Sequence, residues 1–166
     1  MTAVPLPLHL FIHFTLAVLA GFSVGYYYNK LKIGIIAGII GGFLIDLDHV
    51  LEYFLVYGWH FNIIYFFQGR EFLLSDKIHI YFHAWEYLPI LLILAWLLRK
   101  KKTIMIFILA LTLGIFFHLT TDHFINQYPW RNYSLIYRVK VNFSAPRLLS
   151  PEQYQNYILD RQELNI

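Results

Sequence analysis

The chain contains no cysteine, and only 14% of its 166 residues are charged. Without cysteine it forms no disulfide and offers no thiolate, so a metal site would have to use histidine and carboxylate ligands. No cation precedes the first apolar run, so we expect no cleavable signal peptide. At 58% hydrophobic residues, the composition is not that of an ordinary soluble domain.

The sequence contains long apolar runs. Four segments are present, at about Leu6–Tyr28, Ile33–Tyr57, Asp76–Leu98 and Thr103–Ile125. Runs of this length and composition predict membrane-spanning helices. The expected fold class is therefore all-α, an integral membrane four-helix bundle with a polar C-terminal tail.

We expect two domains. Residues 1–127 would form the four-helix transmembrane domain, with a metal site near its outer face, and residues 128–166 an extracytoplasmic tail. Within the tail, Ser150-Pro151-Glu152 predicts the start of a helix. Four glycines in the first half of the second segment would let another helix approach closely: Gly34, Gly38, Gly41 and Gly42.

Lysine and arginine are concentrated in two short loops, Lys30–Lys32 and Arg99–Lys102. Short cation-rich loops remain in the cytoplasm, so both termini should face outside. We therefore expect a multi-pass protein of the cell (inner) membrane with both termini extracytoplasmic.

Titratable residues lie at similar depths in the four segments. Counted at 1.5 Å per residue from the cationic loops, His13, Asp46–His49, His83 and His118 lie about 20–30 Å along their helices. Helices of alternating direction would bring them to one level, near the outer end of a hydrocarbon layer about 30 Å thick. Unpaired charges are costly at that depth, so we expect them to have partners or a cation.

The spacing of these residues predicts shared helix faces. His79, His83 and Glu86 are spaced i, i+4, i+7 and would form a stripe along one helix. His118 and Asp122 are also four residues apart. Adjacent helical turns can supply two ligands to one ion, and imidazole with carboxylate suits zinc, iron or manganese.

The second segment divides its polar residues between two faces. Asp46 and His49 share one face, while Asp48 and Glu52 share the other. The full set is large enough for two ions, as in helical bundles that bind dinuclear metal centres. The plainer alternative for these residues is helix-to-helix hydrogen bonding without metal.

His9 and His13 repeat the i, i+4 spacing on the first segment. His9 lies near a helix end in aromatic surroundings, as does His60, and we interpret both as interfacial histidines.

Two motifs resemble a known family. Gly42-x-x-x-Asp46-x-Asp48-His49, followed later by His118-x-x-x-Asp122, is similar to the small membrane-bound predicted metal-dependent hydrolases, including the LexA-regulated inner-membrane type. The resemblance covers most of the four-segment region and leaves out the tail. It implies metal-binding roles for Asp46, Asp48, His49, His118 and Asp122, and a distant likeness to zinc-dependent phospholipase C enzymes.

The chain departs from the family pattern at two places. Ile45 stands where the family has proline before the first aspartate. Residues His79–Glu86 stand in place of the family's His-Arg-Gly…Thr-His-Ser segment. These departures bear on substrate and reaction more than on metal binding.

We expect a membrane-embedded metal-dependent hydrolase of a lipid-borne ester or phosphoester, which uses metal-activated water. The cofactor would be a divalent transition metal, zinc first, with iron or manganese as alternatives and one or two ions bound. Glu86 is the expected general base, with Asp48 as a second candidate. The expected metal ligands are Asp46, Asp48, His49, His79, His83, His118 and Asp122.

Two other functions fit the same residues. One is a metal-dependent lipid oxygenase or desaturase-like enzyme, whose histidine clusters usually face the cytoplasm. The other is a non-catalytic membrane metal-binding or assembly protein. A carrier is disfavoured, because the cytoplasmic halves of the later segments hold little polar beyond Thr112. The expected partners are the lipid bilayer and a lipid substrate, with no nucleic acid.

Overall fold

The computed structural model describes residues 5–165. Within this range the regular structure is helical, and strand pairing is limited to one isolated antiparallel bridge between Lys77 and Ser144. The all-α class is therefore confirmed. Three helices among the described residues are long and apolar enough to cross a membrane, which indicates a membrane protein: Leu6–Tyr27, Leu31–Tyr57 and Lys102–Asn126.

The α-helices follow one another with short connections. In chain order they are α1 (Leu6–Tyr27), α2 (Leu31–Gly42), α3 (Leu47–Tyr57), α4 (Ile63–Phe67), α5 (Arg70–Ser75), α6 (Tyr87–Leu97), α7 (Lys102–Asn126), α8 (Leu135–Lys140), α9 (Ala145–Leu148) and α10 (Pro151–Glu163). Two 3₁₀ turns, Leu44–Asp46 and Trp130–Tyr133, separate α2 from α3 and precede α8.

The first, second and fourth predicted segments match the structure closely. α1 and α7 correspond to the first and fourth, and the second is α2 and α3 joined by the 3₁₀ turn. The third predicted segment is wrong in its first half, because residues 76–86 are not helical and α6 has only 11 residues. A helix of that length rises about 16 Å, roughly half of the hydrocarbon layer. A bundle of four spanning helices is thus not confirmed.

The chain forms two compact units. Unit 1 contains the chain up to Ile45 together with Ala84–Pro129, and unit 2 contains Asp46–His83 together with the chain from Trp130 onward. Residues 46–83 belong with the C-terminal region in unit 2, and the expected division into a transmembrane domain and a tail at residue 127 stays a prediction. The extracytoplasmic location of the tail stays a prediction.

In unit 1, α1, α2 and α7 all contact one another, and α6 packs on α7. Glycine makes the close contacts. A Cβ at Gly38 of α2 would overlap the carbonyl oxygen of Ala17 on α1, and one at Gly114 of α7 would lie 2.6 Å from the carbonyl oxygen of Gly38. The predicted role of the glycines in close helix approach is confirmed.

Unit 2 has a small core of its own, formed by Leu73, Ala145 and Tyr157. The hydroxyl of Tyr157 donates to Oδ1 of Asp76 over 2.8 Å, which ties α10 to the end of α5. The predicted helix start at Ser150 is confirmed, since its side chain caps α10 in a capping box. The C-terminal region is therefore folded onto residues from the middle of the chain.

Candidate metal centre

Three imidazoles converge on one carboxylate in unit 1. One turn of α1 separates His9 from His13, and one turn of α7 separates His118 from Asp122. Oδ1 of Asp122 lies 3.3 Å from Nε2 of His9 and 3.1 Å from Nε2 of His13, and Oδ2 lies 3.3 Å from Nε2 of His118. We call these four residues the helical group. All but His9 are buried.

Three residues of the helical group, His9, His13 and Asp122, each offer a ligand atom within 4.8 Å of the others. Nε2 of His9 lies 2.7 Å from Nε2 of His13, so two ring nitrogens and a carboxylate oxygen face a common point. Ligands bound to zinc at 2.0–2.1 Å in a tetrahedron lie roughly 3.3 Å apart, so the contacts of both rings with Asp122 match this spacing and the two rings would separate by roughly half an ångström around an ion. Nδ1 of His118 donates to the carbonyl oxygen of Gly42 over 3.1 Å, which fixes the ring with Nε2 towards Asp122. The residues present therefore fit a bound metal ion.

His13 and the His118–Asp122 pair meet although they come from separate helices, as the equal depths predicted for them require, and their level in the membrane stays a prediction. His9 and His13 were missed as site residues. Their i, i+4 spacing was the available signal, and the interpretation of His9 as an interfacial residue did not include its contact with Asp122. His60, by contrast, is exposed.

A second set of ligand atoms converges in unit 2, and we call Asp46, His49 and His83 the loop group. Oδ1 of Asp46 lies 3.3 Å from Nε2 of His83 and 3.7 Å from Nε2 of His49. The side chains of Asp46 and His49 are 26% and 35% exposed, whereas His83 is buried. This group is therefore more accessible than the helical group.

Asp48 holds His83 rather than joining the converging ligand atoms. Its Oδ2 accepts hydrogen bonds from Nδ1 of His83 and from the backbone N–H of Phe82, both over 2.9 Å. A carboxylate on Nδ1 fixes the tautomer of a metal-binding histidine and directs Nε2 towards the ion. The other oxygen, Oδ1, is buried without a hydrogen-bond partner.

Glu52 binds the same loop one turn further along α3. Its Oε2 accepts from the backbone N–H groups of His79 and Ile80 over 3.1 and 3.2 Å, and its Oε1 contacts Nδ1 of His79 over 2.8 Å. Among the described residues, His79 does not belong to a converging ligand set. The predicted division of the second segment into two faces is confirmed, since Asp48 joins Glu52 in binding this loop.

The sequence also did not identify Arg138 as a residue that supports this loop. This side chain from α8 is fully buried, and its Nη1 donates to the carbonyl oxygens of His79 and Ile80 while Nη2 donates to that of His83, each over 2.6 Å. Nothing in the sequence distinguishes Arg138 from the other tail cations, because its partners are backbone atoms far away in the chain.

The expected stripe of His79, His83 and Glu86 along one helix is wrong. Residues 76–86 are not helical, and the backbone N–H groups of His79, Ile80 and Phe82 bond to carboxylates of α3 instead of to carbonyls four residues earlier. Glu86 lies in unit 1, in the turn before α6. Its role as a base stays a prediction.

Glu71 on α5 is a buried acid outside both groups. Its side chain is 1% exposed, and Oε2 has no hydrogen-bond partner. Burial raises the pKa of Glu71 from 4.5 to about 7, and the negative charge of Glu52 adds to the rise. Glu71 is therefore a proton-binding group near neutral pH.

No protein-family model, curated protein or solved structure matches this chain. His9, His13 and Asp122 of the helical group could hold one metal ion, and the three residues of the loop group could hold another.

Proposed function

We propose that this chain is a membrane-embedded metal-dependent hydrolase of a lipid-borne ester or phosphoester. The observation that carries the proposal is the convergence of His9, His13 and His118 on Asp122 in unit 1. Buried charge among apolar helices costs several kcal/mol unless a counter-charge compensates it. A divalent cation supplies that counter-charge and accepts neutral imidazole as a ligand.

Zinc is the proposed metal, with iron or manganese as alternatives and one or two ions bound. The proposed ligands are the helical group and the loop group. When bound, the ion acts as a Lewis acid and lowers the pKa of water. Asp48 orients His83, and Glu86 and Asp48 are the proposed proton acceptors.

The choice of a lipid-borne substrate rests on two observations. The loop group is partly exposed at Asp46 and His49, which supports access by a substrate. The chain carries apolar helices suited to a membrane, so a substrate dissolved in the bilayer would be concentrated around it. The resemblance of the Asp46–His49 motif to membrane-bound hydrolases supports hydrolysis as the reaction.

We further propose that α6 completes a four-helix bundle in the cell's inner membrane, with both termini outside. The cationic loops at Lys30–Lys32 and Arg99–Lys102 support this orientation. Single cysteines at Lys101 and Gln155 should separate the two faces: a membrane-impermeant thiol reagent added to intact cells should label Gln155→Cys and not Lys101→Cys. The reverse pattern would contradict the orientation and favour the oxygenase-like enzyme.

The decisive experiment combines metal analysis with an activity screen on the detergent-purified protein. Wild-type protein should carry a divalent transition metal and hydrolyse a member of a phospholipid and phosphodiester panel. His118→Ala should lose the metal of the helical group, and His60→Ala should keep the wild-type metal content. Glu86→Gln should keep metal and lose about 10²–10⁴-fold in turnover, the usual contribution of a general base.

Each result has a separate meaning. Full metal content in His118→Ala would remove the metal site from the helical group. Metal-replete wild type that hydrolyses nothing on the panel would favour a non-catalytic metal-binding or assembly protein. A fully active Glu86→Gln would leave the hydrolase standing and transfer the base to Asp48.

A further inference from the structure

The backbone between His79 and His83 has no regular structure, so side chains must satisfy its polar groups. Carboxylates of α3 accept from its N–H groups: Glu52 binds those of His79 and Ile80, and Asp48 binds that of Phe82. Three carbonyl oxygens of the loop accept hydrogen bonds from the positively charged guanidinium of Arg138. Two carboxylates therefore hold the N–H groups of the loop, and one guanidinium holds its carbonyl groups.

Arg138 is itself fixed in place. Its backbone N–H donates to the carbonyl oxygen of Ser134 over 3.0 Å, and its own carbonyl oxygen accepts from Phe143 over 2.7 Å. The side chain is 0% exposed, so its guanidinium has little freedom to adopt another position. The planar guanidinium donates hydrogen bonds from both Nη1 and Nη2, a geometry that a lysine ammonium does not reproduce.

The backbone of the loop is strained at Ile80. Its φ is +29°, in the left-handed half of the Ramachandran map that β-branched residues avoid. Glu52 holds its N–H and Arg138 holds its carbonyl oxygen. Such strain persists only where the surroundings over-determine the backbone, and it is typical of functional sites.

We infer that Arg138 is a positioning residue for the loop group: its guanidinium holds the 79–83 backbone in the conformation that brings Nε2 of His83 to Asp46. This inference rests on the proposed metal site of unit 2. Arg138 acts on the metal only through His83. The C-terminal region, which the metal-binding motifs do not include, thereby becomes part of the site.

Titration of the detergent-purified full chain with Co²⁺ tests this, because the visible absorption of Co²⁺ reports its ligand geometry. His83→Ala defines the signal that belongs to the loop group. Arg138→Met should weaken the Co²⁺ affinity of the loop group by about 10–100-fold, the range found for residues that support metal ligands. Arg138→Lys should fall between Arg138→Met and wild type, and Arg147→Met, an exposed tail cation, should match wild type.

A second substitution separates positioning from general stability. Ile80→Gly removes the strain at positive φ, so in the Arg138→Lys background it should restore at least half of the lost affinity on a logarithmic scale. A purely structural role for Arg138 would lower thermal stability and leave the Co²⁺ spectrum of the folded protein unchanged. Where Arg138→Met yields no folded protein, Arg138→Lys with and without Ile80→Gly gives the same comparison.

The outcomes distinguish the inference from the proposed function. Unchanged affinity and spectrum in Arg138→Met, or in Arg138→Lys where only that variant folds, would overturn the inference alone if His83→Ala loses the signal. A His83→Ala variant that binds Co²⁺ as wild type does would overturn the metal site of unit 2 and the inference with it.

Discussion

The converging side chains of unit 1 stand on two regular helices, whereas those of unit 2 stand on a 3₁₀ turn, a helix and an irregular loop. In α1 and α7 the backbone hydrogen bonds are made within each helix, so the position of the helical group depends on how closely the helices pack. Gly38 and Gly114 allow that packing.

The loop group depends on side chains instead. The backbone next to His83 is bound by Asp48, Glu52 and Arg138, all of which are buried. A site held in this way loses its geometry when one polar side chain is removed, even if no ligand is touched. The two groups should therefore respond differently to substitution, and the differences can be measured.

The largest expected effect is a loss of stability that should be greater in the buried helical group than in the partly exposed loop group. Asp122→Ala removes the carboxylate that faces three imidazoles in a buried site. It should abolish metal binding by the helical group and lower the free energy of unfolding by about 3–5 kcal/mol. Asp46→Ala should also cost metal, with a stability loss below about 1 kcal/mol, because its carboxylate is partly exposed.

Metal content and thermal unfolding of the two purified variants check this comparison. Thr120→Ala is the control on α7, since its hydroxyl is exposed to the surroundings and bonds only to the carbonyl oxygen of Phe116 in its own helix. Equal stability losses in Asp122→Ala and Asp46→Ala would show that burial does not distinguish the groups.

The next effect tests whether helix packing positions the helical group. A Cβ at Gly38 would overlap the carbonyl oxygen of Ala17, one turn after His13 on α1. Gly38→Val should therefore push α1 and α2 apart and cost about 1–3 kcal/mol of stability. It should also weaken metal binding by His13 and Asp122, although it touches neither.

Ile36→Val on the same helix is the matched control, because Ile36 is exposed and its change leaves the packed face intact. Thermal unfolding and metal titration measure both variants. A Gly38→Val protein with wild-type stability and metal affinity would mean that close helix approach does not determine this site.

The same contrast explains what could be predicted from the sequence. His118 and Asp122 were identifiable because a helix turns spacing into proximity, and the split of Asp46 and His49 from Asp48 followed from the same rule. The rule was wrong for residues 76–86, where a helical spacing of histidines occurs in a loop.

The tertiary partners of that loop decided its conformation. Arg138 lies more than fifty residues from the carbonyl groups it binds. Hydrogen bonds to backbone atoms leave no residue pattern, so neither Arg138 nor its role was predictable. Ile80 has a positive φ, a conformation that a β-branched residue would not indicate by itself.

The last expected effect concerns protons and leaves metal binding unchanged, and it belongs to unit 2 alone. Glu71 is buried on α5, where its pKa is raised from 4.5 to about 7. Between these values the folded state keeps the proton that the unfolded chain loses. Stability should therefore fall as pH rises from about 4.5 to about 7, and this contribution should not change further above that range.

Glu71→Gln removes the ionisation and keeps the shape of the protonated acid. The variant should unfold like wild type near pH 4.5 and be more stable at pH 7.5, by at most about 3 kcal/mol for the full rise in the pKa. Glu152→Gln, at an exposed position on α10, should leave the pH dependence as it is in wild type. The measured quantity is the difference between variant and wild-type unfolding curves at each pH, because the contributions of all other titratable groups cancel in it. Parallel curves for Glu71→Gln and wild type would show that Glu71 is ionised in the folded protein throughout, with a counter-charge that compensates its burial.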